Sequence, residues 1–255
     1  MISLPKTHSF SLKGKRALVA GASAGIGFGC SAALADAGAE VVLALRPGER
    51  LDASVDAIRS EGGRAEALPL DISDIKAVEN AVGRSGPFDI LVNSAGQACH
   101  GPAIETSPED FDAVVGINFR GAYFLTRAVA AGLIEAGKPG SLVNISSQMG
   151  HVGGQDRAVY CATKHAVEGF TKAMAIEWGR NRIRVNTICP TFIRTSLTEA
   201  TFADPKRKAW IMDNIRLDRI GEIEDVMGAV VYLTSDAAAM VTGTSLIIDG
   251  GWTAA

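Results

Sequence analysis

Seven short apolar runs rich in Val, Ile and Leu recur along the chain, at Arg16–Ala20, Val41–Leu45, Ala65–Leu70, Ile90–Asn93, Ser141–Ile145, Ile183–Ile188 and Ser245–Ile248. Runs of that length with little polar alternation read as strands buried on both faces. The segments between them are of helix length and carry apolar residues three and four apart. Val159, Ala162, Ala166, Val167, Phe170 and Met174, for example, put a wide stripe on one helix. Strand and helix therefore alternate, which predicts a three-layer, doubly wound α/β fold with a seven-stranded parallel sheet. Such a sheet receives ligands beyond the carboxyl ends of its strands, where strand order reverses. No linker or repeat divides the sequence, so one domain over 1–255 is expected. Its one long irregular stretch, Pro190 to about Leu217, has the length of a binding loop.

Composition narrows the partners. The chain has 255 residues, 47% of them hydrophobic and 21% charged, enough for a large buried core. A net charge of -3 leaves no basic excess to neutralise phosphate runs, which argues against nucleic acid or an anionic membrane and favours a small molecule. Cys30, Cys99, Cys161 and Cys189 are far apart and form no Cys-x-x-Cys spacing, so no metal is expected and a reducing, cytoplasmic setting fits. No uncharged apolar stretch approaches the roughly 20 residues of a membrane span, and the run Ala17–Ala20 is too short for a signal-peptide core.

Two local patterns carry chemistry. Directly after the first strand comes Gly21-Ala22-Ser23-Ala24-Gly25-Ile26-Gly27, leading into an apolar helix through Ala37. Glycine permits the tight turn and lets backbone N–H groups approach a pyrophosphate, while the helix N-terminus adds partial positive charge. Alone, such a turn is also an ordinary strand-to-helix connection; its strand–turn–helix context favours a dinucleotide. At the end of the second strand, where a carboxylate would bind a ribose 2′-hydroxyl, the sequence has Arg46 and no acid between Val41 and Gly48. Its guanidinium suits a 2′-phosphate, so NADP(H) is expected over NAD(H), although a solvated surface arginine is the plainer alternative.

The second pattern is Tyr160-Cys161-Ala162-Thr163-Lys164, a phenol and an ammonium on one face of one helix. A nearby cation favours phenolate, and acid/base catalysis works best with a pKa near the working pH, so Lys164 is expected to lower the pKa of Tyr160. Without context this pair is a common coincidence.

The Gly-x-x-x-Gly-x-Gly spacing and the Tyr-x-x-x-Lys pair together resemble the short-chain dehydrogenase/reductase family, over about Leu12 to Trp252. The resemblance implies a Rossmann-like fold and hydride transfer between a nicotinamide cofactor and a carbonyl or secondary alcohol. It implies a catalytic tetrad of Asn118, Ser147, Tyr160 and Lys164, the Ser147-to-Tyr160 interval of thirteen residues matching the family. Asn118 would act through a water held on its backbone carbonyl, Ser147 on the substrate oxygen, and Lys164 on the nicotinamide ribose as well as on Tyr160. The implied cofactor contacts are Gly21, Ser23, Gly25, Ile26, Gly27, Arg46, Asp71, Ile72, Asn93, Ala95, Gly96, Tyr160, Lys164, Pro190, Ile193 and Thr195. Asp71 matches the position that meets the adenine amino group, with helix capping an equal alternative.

Three positions depart from the family pattern. Ala20 stands for a Thr, Ser94 for an Asn and Thr191 for a Gly. A β-branched Thr191 lacks glycine's access to positive φ, which predicts a different backbone run before Ile193 and Thr195.

Polar residues near the expected site, namely Gln97, His100, Ser147, Gln148, His151, Arg157 and Arg194, suggest a sugar, polyol or hydroxy acid as substrate. Surface solvation or capping accounts for them equally well. Reduction of a 3-oxoacyl thioester, and a non-catalytic dinucleotide sensor or scaffold, are the alternative functions. The family also implies a homotetramer through Ser107–Ala136 and Val159–Gly179. The stripe Val167, Phe170, Met174 and Trp178 fits that interface, or simply the core.

Overall fold

The computed structural model describes residues 4–46 and 49–254. Seven parallel strands form one sheet in the order β3-β2-β1-β4-β5-β6-β7. They are β1 (Arg16–Ala20), β2 (Glu40–Leu45), β3 (Arg64–Pro69), β4 (Ile90–Asn93), β5 (Gly140–Ile145), β6 (Ile183–Pro190) and β7 (Ser245–Ile248). The chain winds outward from β1 through β2 to β3, then returns to pair β4 with the other side of β1. That reversal opens the crevice between the carboxyl ends of β1 and β4.

Side chains on successive strand residues point to opposite faces, so each strand feeds two cores. Val19, Val41, Leu43 and Val92 pack under α1 (Gly25–Asp36), α2 (Glu49–Ser60) and α9 (Glu224–Thr234), through Leu34, Ile58, Val226 and Val230. Leu18, Val42, Leu91 and Leu142 pack on the other face. There they meet α3 (Ile75–Ser85), α5 (Ala122–Glu135) and α6 (Ala158–Trp178), through Val82, Leu125, Leu133, Phe170 and Met174. The stripe weighed above as an interface is therefore core: Val167, Phe170 and Met174 are buried and Trp178 packs against them.

Between α4 (Pro108–Val115) and α5 the helix runs on through a π-helical turn, Gly116–Gly121, which contains Asn118. The stretch from Pro190 to Leu217, expected to be irregular, instead contains α7 (Glu199–Ala203) and α8 (Pro205–Asn214). Asp204 starts α8 by accepting from the N–H groups of Lys206 and Arg207, ahead of a Pro in its first turn. Its far end is tied down where Arg216 and Leu217 donate to the Gly250 carbonyl at 2.8 and 3.1 Å. Trp210 lies 5.0 Å from Trp252, which lies 5.7 Å from Phe192, so the C-terminal turn backs this helical strap against the end of β6.

Among the described residues no helix is long and apolar enough to cross a membrane.

Candidate active site

One cleft of about 1220 Å³ runs across the carboxyl ends of the strands. Gly21, Ser23, Gly25 and Ile26 line one stretch of it, and Arg46, Asp71 and Ile72 close one end. Ala95, Gly96, Gln97, Ser147, Gln148, Tyr160, Lys164, Pro190, Ile193 and Thr195 line the rest.

The glycine turn is tight because nothing larger fits. Gly21 has φ +75°, and a Cβ there would come within 2.6 Å of the Ala95 nitrogen; one on Gly27 would lie on the Gly21 carbonyl oxygen. Gly27 thus supports the turn from behind without lining the cleft. So does buried Asn93, whose side chain accepts from the Ala95 N–H at 3.3 Å and donates to Asn144 at 3.1 Å. The turn opens α1, whose first turn carries no acidic side chain and whose N-cap, Ala24, supplies no side-chain cap. An apolar helix entry with free N–H groups is suited to an anionic diphosphate, and the residues present fit a dinucleotide.

Asp71 accepts from the backbone and hydroxyl of Ser73 at 2.9 and 2.8 Å. It does not cap α3; Asp74 does, accepting from the Ala77 N–H. Arg50, on the first turn of α2 and four residues beyond Arg46, lines the same end of the cleft.

The catalytic end is built by three elements. Ser147 follows β5 and accepts from the Met149 N–H at 3.1 Å, which fixes its side chain at the start of a short 3₁₀ turn. Tyr160 and Lys164 stand one turn apart on α6. Lys164 is buried and donates from Nζ to the Ile145 carbonyl at 2.9 Å, with Nζ 5.5 Å from the Tyr160 ring centroid. The third element is the π-helical turn. Asn118 is buried away from the cleft; its Oδ1 accepts from the Gln97 N–H and its Nδ2 donates to the Gln97 carbonyl, both at 2.8 Å, and Nδ2 also reaches Thr163 Oγ1 at 3.3 Å. The side chain thereby ties the segment after β4 to α6, a link that spacing along the chain did not disclose.

The electrostatics differ from the expectation. Burial is the largest influence on Tyr160 and raises its pKa. The Ser147 hydroxyl and the Arg157 charge pull it down, the thiols of Cys161 and Cys189 push it up, and Lys164 is not among the causes. Lys164 is itself brought down to about 8, first by burial, with Cys189 and Glu168 acting in the opposite direction. The ammonium bonds a strand carbonyl while lying over the phenol ring, and the cation that lowers the Tyr160 pKa is Arg157.

Not every polar candidate reaches the cleft. Arg157 lines it, with His100, Gln97 and buried Gln148. Arg194 lies outside, paired with Glu222 at 3.0 Å and lying over Phe202. His151 also lies outside, 3.7 Å from Glu168. Glu168 is buried and accepts from Thr187 Oγ1 at 2.9 Å and Ser245 Oγ at 2.5 Å between α6 and the edge of the sheet, and exposed His151 faces it from the surface. Thr191 is not in the left-handed region; its N–H donates to Ile248 at 3.0 Å, so β6 runs on to β7 without needing glycine there, and Ile193 and Thr195 reach the cleft.

A family model described as enoyl-(acyl carrier protein) reductase matches residues 21–253. An L-xylulose reductase from Bos taurus is 40% identical over 243 residues, 95% of this chain and 98% of that one. A gluconate 5-dehydrogenase from Gluconobacter oxydans is 39% identical over 248 residues, 96% of each chain. The crystal structure of a gluconate 5-dehydrogenase from Burkholderia cenocepacia, in complex with NADP and tartrate, superposes with a TM-score of 0.93. The two are 34% identical, over 96% of this chain and 98% of that one.

Proposed function

The chain belongs to the short-chain dehydrogenase/reductase family, and from that premise we propose that it is an NADP(H)-dependent oxidoreductase interconverting a carbonyl and a secondary alcohol on a sugar, polyol or hydroxy acid. The observation that carries this reading is the convergence of Tyr160, Ser147 and Lys164 on one cleft that continues to the glycine cradle. The sugar-acting names of the relatives support the substrate class. Arg46 and Arg50 at the far end, with no acid from the end of β2, support the 2′-phosphate.

A nicotinamide, when bound, supplies or accepts the hydride. The chain's own residues do the rest. In the reduction direction Tyr160 gives its phenolic proton to the substrate oxygen as negative charge develops there, and the Ser147 hydroxyl donates to the same oxygen. Burial keeps the Tyr160 proton in place until it is needed. Lys164, fixed on the Ile145 carbonyl, holds a positive charge beside the phenol and within reach of ribose hydroxyls. Asn118 keeps Gly96 and Gln97 in position around it, through its bonds to Gln97.

Tyr160→Phe removes one oxygen. Turnover is expected to fall by about 10²–10⁴-fold, while titration with NADPH gives nearly the wild-type affinity; full activity would overturn the assignment. Reduction of a 3-oxoacyl thioester uses the same groups but suits the polar and cationic lining at Gln97, Gln148 and Arg157 less well. A non-catalytic sensor has no use for Tyr160 and Lys164 on one cleft wall. Free Cys30, Cys99, Cys161 and Cys189 support a cytoplasmic, reducing setting. Exposed Phe111, Phe119, Tyr123 and Ile176 on the outer faces of α4 to α6 support the homotetramer, to be checked by sizing in solution.

A further inference from the structure

We propose that the substrate carries a carboxylate remote from its reacting carbon, and that Arg157 and Arg207 hold it between them at the catalytic end of the cleft. The inference rests on the oxidoreductase reading and narrows its substrate from sugars and polyols in general to sugar acids.

Charge around the cleft is lopsided. Among the described residues that line it, Asp71 is the only acid, and it lies at the far end with Leu70 and Ile72. The catalytic end has Arg157, Lys164 and Arg207 as cations and no carboxylate. Lys164 is already committed to the Ile145 carbonyl, which leaves the two guanidiniums. Arg157 immediately precedes α6, three residues before Tyr160, and lies on Phe192 with its charged carbon 5.4 Å from the ring centroid. Its hydrogen bond is to the Gln155 carbonyl, and among the described residues it has no ion pair. Arg207 reaches the cleft from the other side, on α8 of the helical strap.

The two guanidiniums repel each other. Arg157 is held below the usual arginine range first by burial and then by Arg207, against Tyr160, Cys161 and Asp156. His100, its ring 6.4 Å from that of Tyr160, is pushed down by burial and by the same two arginines, with Asp156 opposing, so the imidazole there is held neutral. Neither nearby acid resolves the excess inside the cleft. Asp156 does not line it, and Asp204, whose Oδ1 accepts the two N–H groups at the start of α8, meets Arg207 Nε only through Oδ2 at 3.6 Å, too far for a hydrogen bond, so the Arg207 fork keeps its donors. Buried Gln148 also lines this end, and both polar atoms of its amide lack a partner.

A half-buried Arg157 without an ion pair among the described residues, an exposed Arg207 across the cleft and an unsatisfied amide beside them are well suited to an anion. A carboxylate accepts planar, charge-assisted pairs from two guanidiniums at once, and substrate hydroxyls can use Gln148 and neutral His100. The anion would also bridge α6 and the strap, joining the two walls of the site.

The test compares a six-carbon keto-aldonate, the neutral ketohexose of the same length and the ketohexose 6-phosphate, on the NADPH-supplied enzyme. Wild type should favour the keto-aldonate by at least tenfold in kcat/KM. Arg207→Gln should lower that value by about 10- to 100-fold, mostly through KM, with a much smaller effect on the ketohexose; Arg157→Gln should raise the keto-aldonate KM likewise, on top of a change in kcat shared by both sugars through Tyr160. Equal use of acid and ketohexose, preference for the phosphate, or equal losses on both sugars in Arg207→Gln would overturn the proposal while leaving the oxidoreductase reading intact. Calorimetric binding of the keto-aldonate to the NADPH complex gives a readout that needs no turnover. Binding weakened in both variants supports the anchor even if none of the three sugars is reduced; no binding, or binding unchanged by either substitution, refutes it. Arg157→Lys and Arg207→Lys, which keep charge but lose the planar fork, should recover part of the affinity and exclude a merely structural loss.

Discussion

Asn118→Ala isolates the contribution of the π-helical turn. The side chain is buried and makes two bonds of 2.8 Å to the backbone of Gln97 and one of 3.3 Å to Thr163. Each of the shorter bonds contributes about 1 kcal/mol net, and leaving a buried partner without one costs about 1–3 kcal/mol. Gln97 is only partly buried, so water can rescue one of its two groups. The loss works out at roughly 2–4 kcal/mol, which at about 2–4 °C per kcal/mol for a chain of this size lowers the melting midpoint by some 5–15 °C. Activity should fall further than this destabilisation explains at a temperature where the variant is folded. Gly96 and Gln97 form the cleft wall beside Lys164, and a misplacement of about 1 Å can cost 10²-fold. Scanning calorimetry with initial rates at 25 °C measures both. A midpoint within 2 °C of wild type together with kcat/KM within threefold would refute the reasoning.

Three further outcomes are expected. Lys164 is charged below its pKa of about 8 and neutral above it, while the Tyr160 pKa is raised, so kcat/KM for carbonyl reduction should hold at lower pH and fall as pH rises through about 8; a flat profile to pH 10 contradicts this. Joint Arg46→Ala and Arg50→Ala should raise KM for NADPH by about 10- to 100-fold and change KM for NADH little, and better wild-type turnover with NADH under matched conditions would remove the cofactor preference. Gly27→Ala forces a methyl onto the Gly21 carbonyl and should cost about 1–3 kcal/mol in stability as well as dinucleotide affinity, read by thermal melts and by NADPH titration.

The sheet was legible because its five inner strands are buried on both faces, so apolar runs mark them to within a residue or two, and the more exposed edge strands β3 and β7 still kept short apolar runs. The end of β6 was read short, since pairing of Cys189 and Pro190 with β7 depends on a partner distant in sequence. The strap was misread as irregular because α7 has no buried residue and α8 buries only Ile211, leaving no stripe to detect. Tyr160, Lys164 and Ser147 came from spacing, and the structure brings them to one cleft. What spacing could not encode was direction. Arg194 and His151 lie close in sequence to cleft residues, yet each turns to a glutamate outside it. Arg207, from an element that left no pattern, is the one that arrives. The expectation that Lys164 loosens the Tyr160 proton left out burial, which raises the phenol's pKa: adjacency on a helix fixes neither the desolvation of a phenol nor the point at which an ammonium is anchored.

The turn at Gly116–Gly121 has one more consequence. A π turn is a helix that has taken in an extra residue, and here that turn carries Asn118, whose side chain meets Gln97. Deleting a single residue from this stretch would restore an unbroken α-helix that is easier to form and keeps its flanks near register, but would take the Asn118 side chain away from Gln97. Chain length is therefore frozen at this place, where regular structure would ordinarily make it cheapest to change.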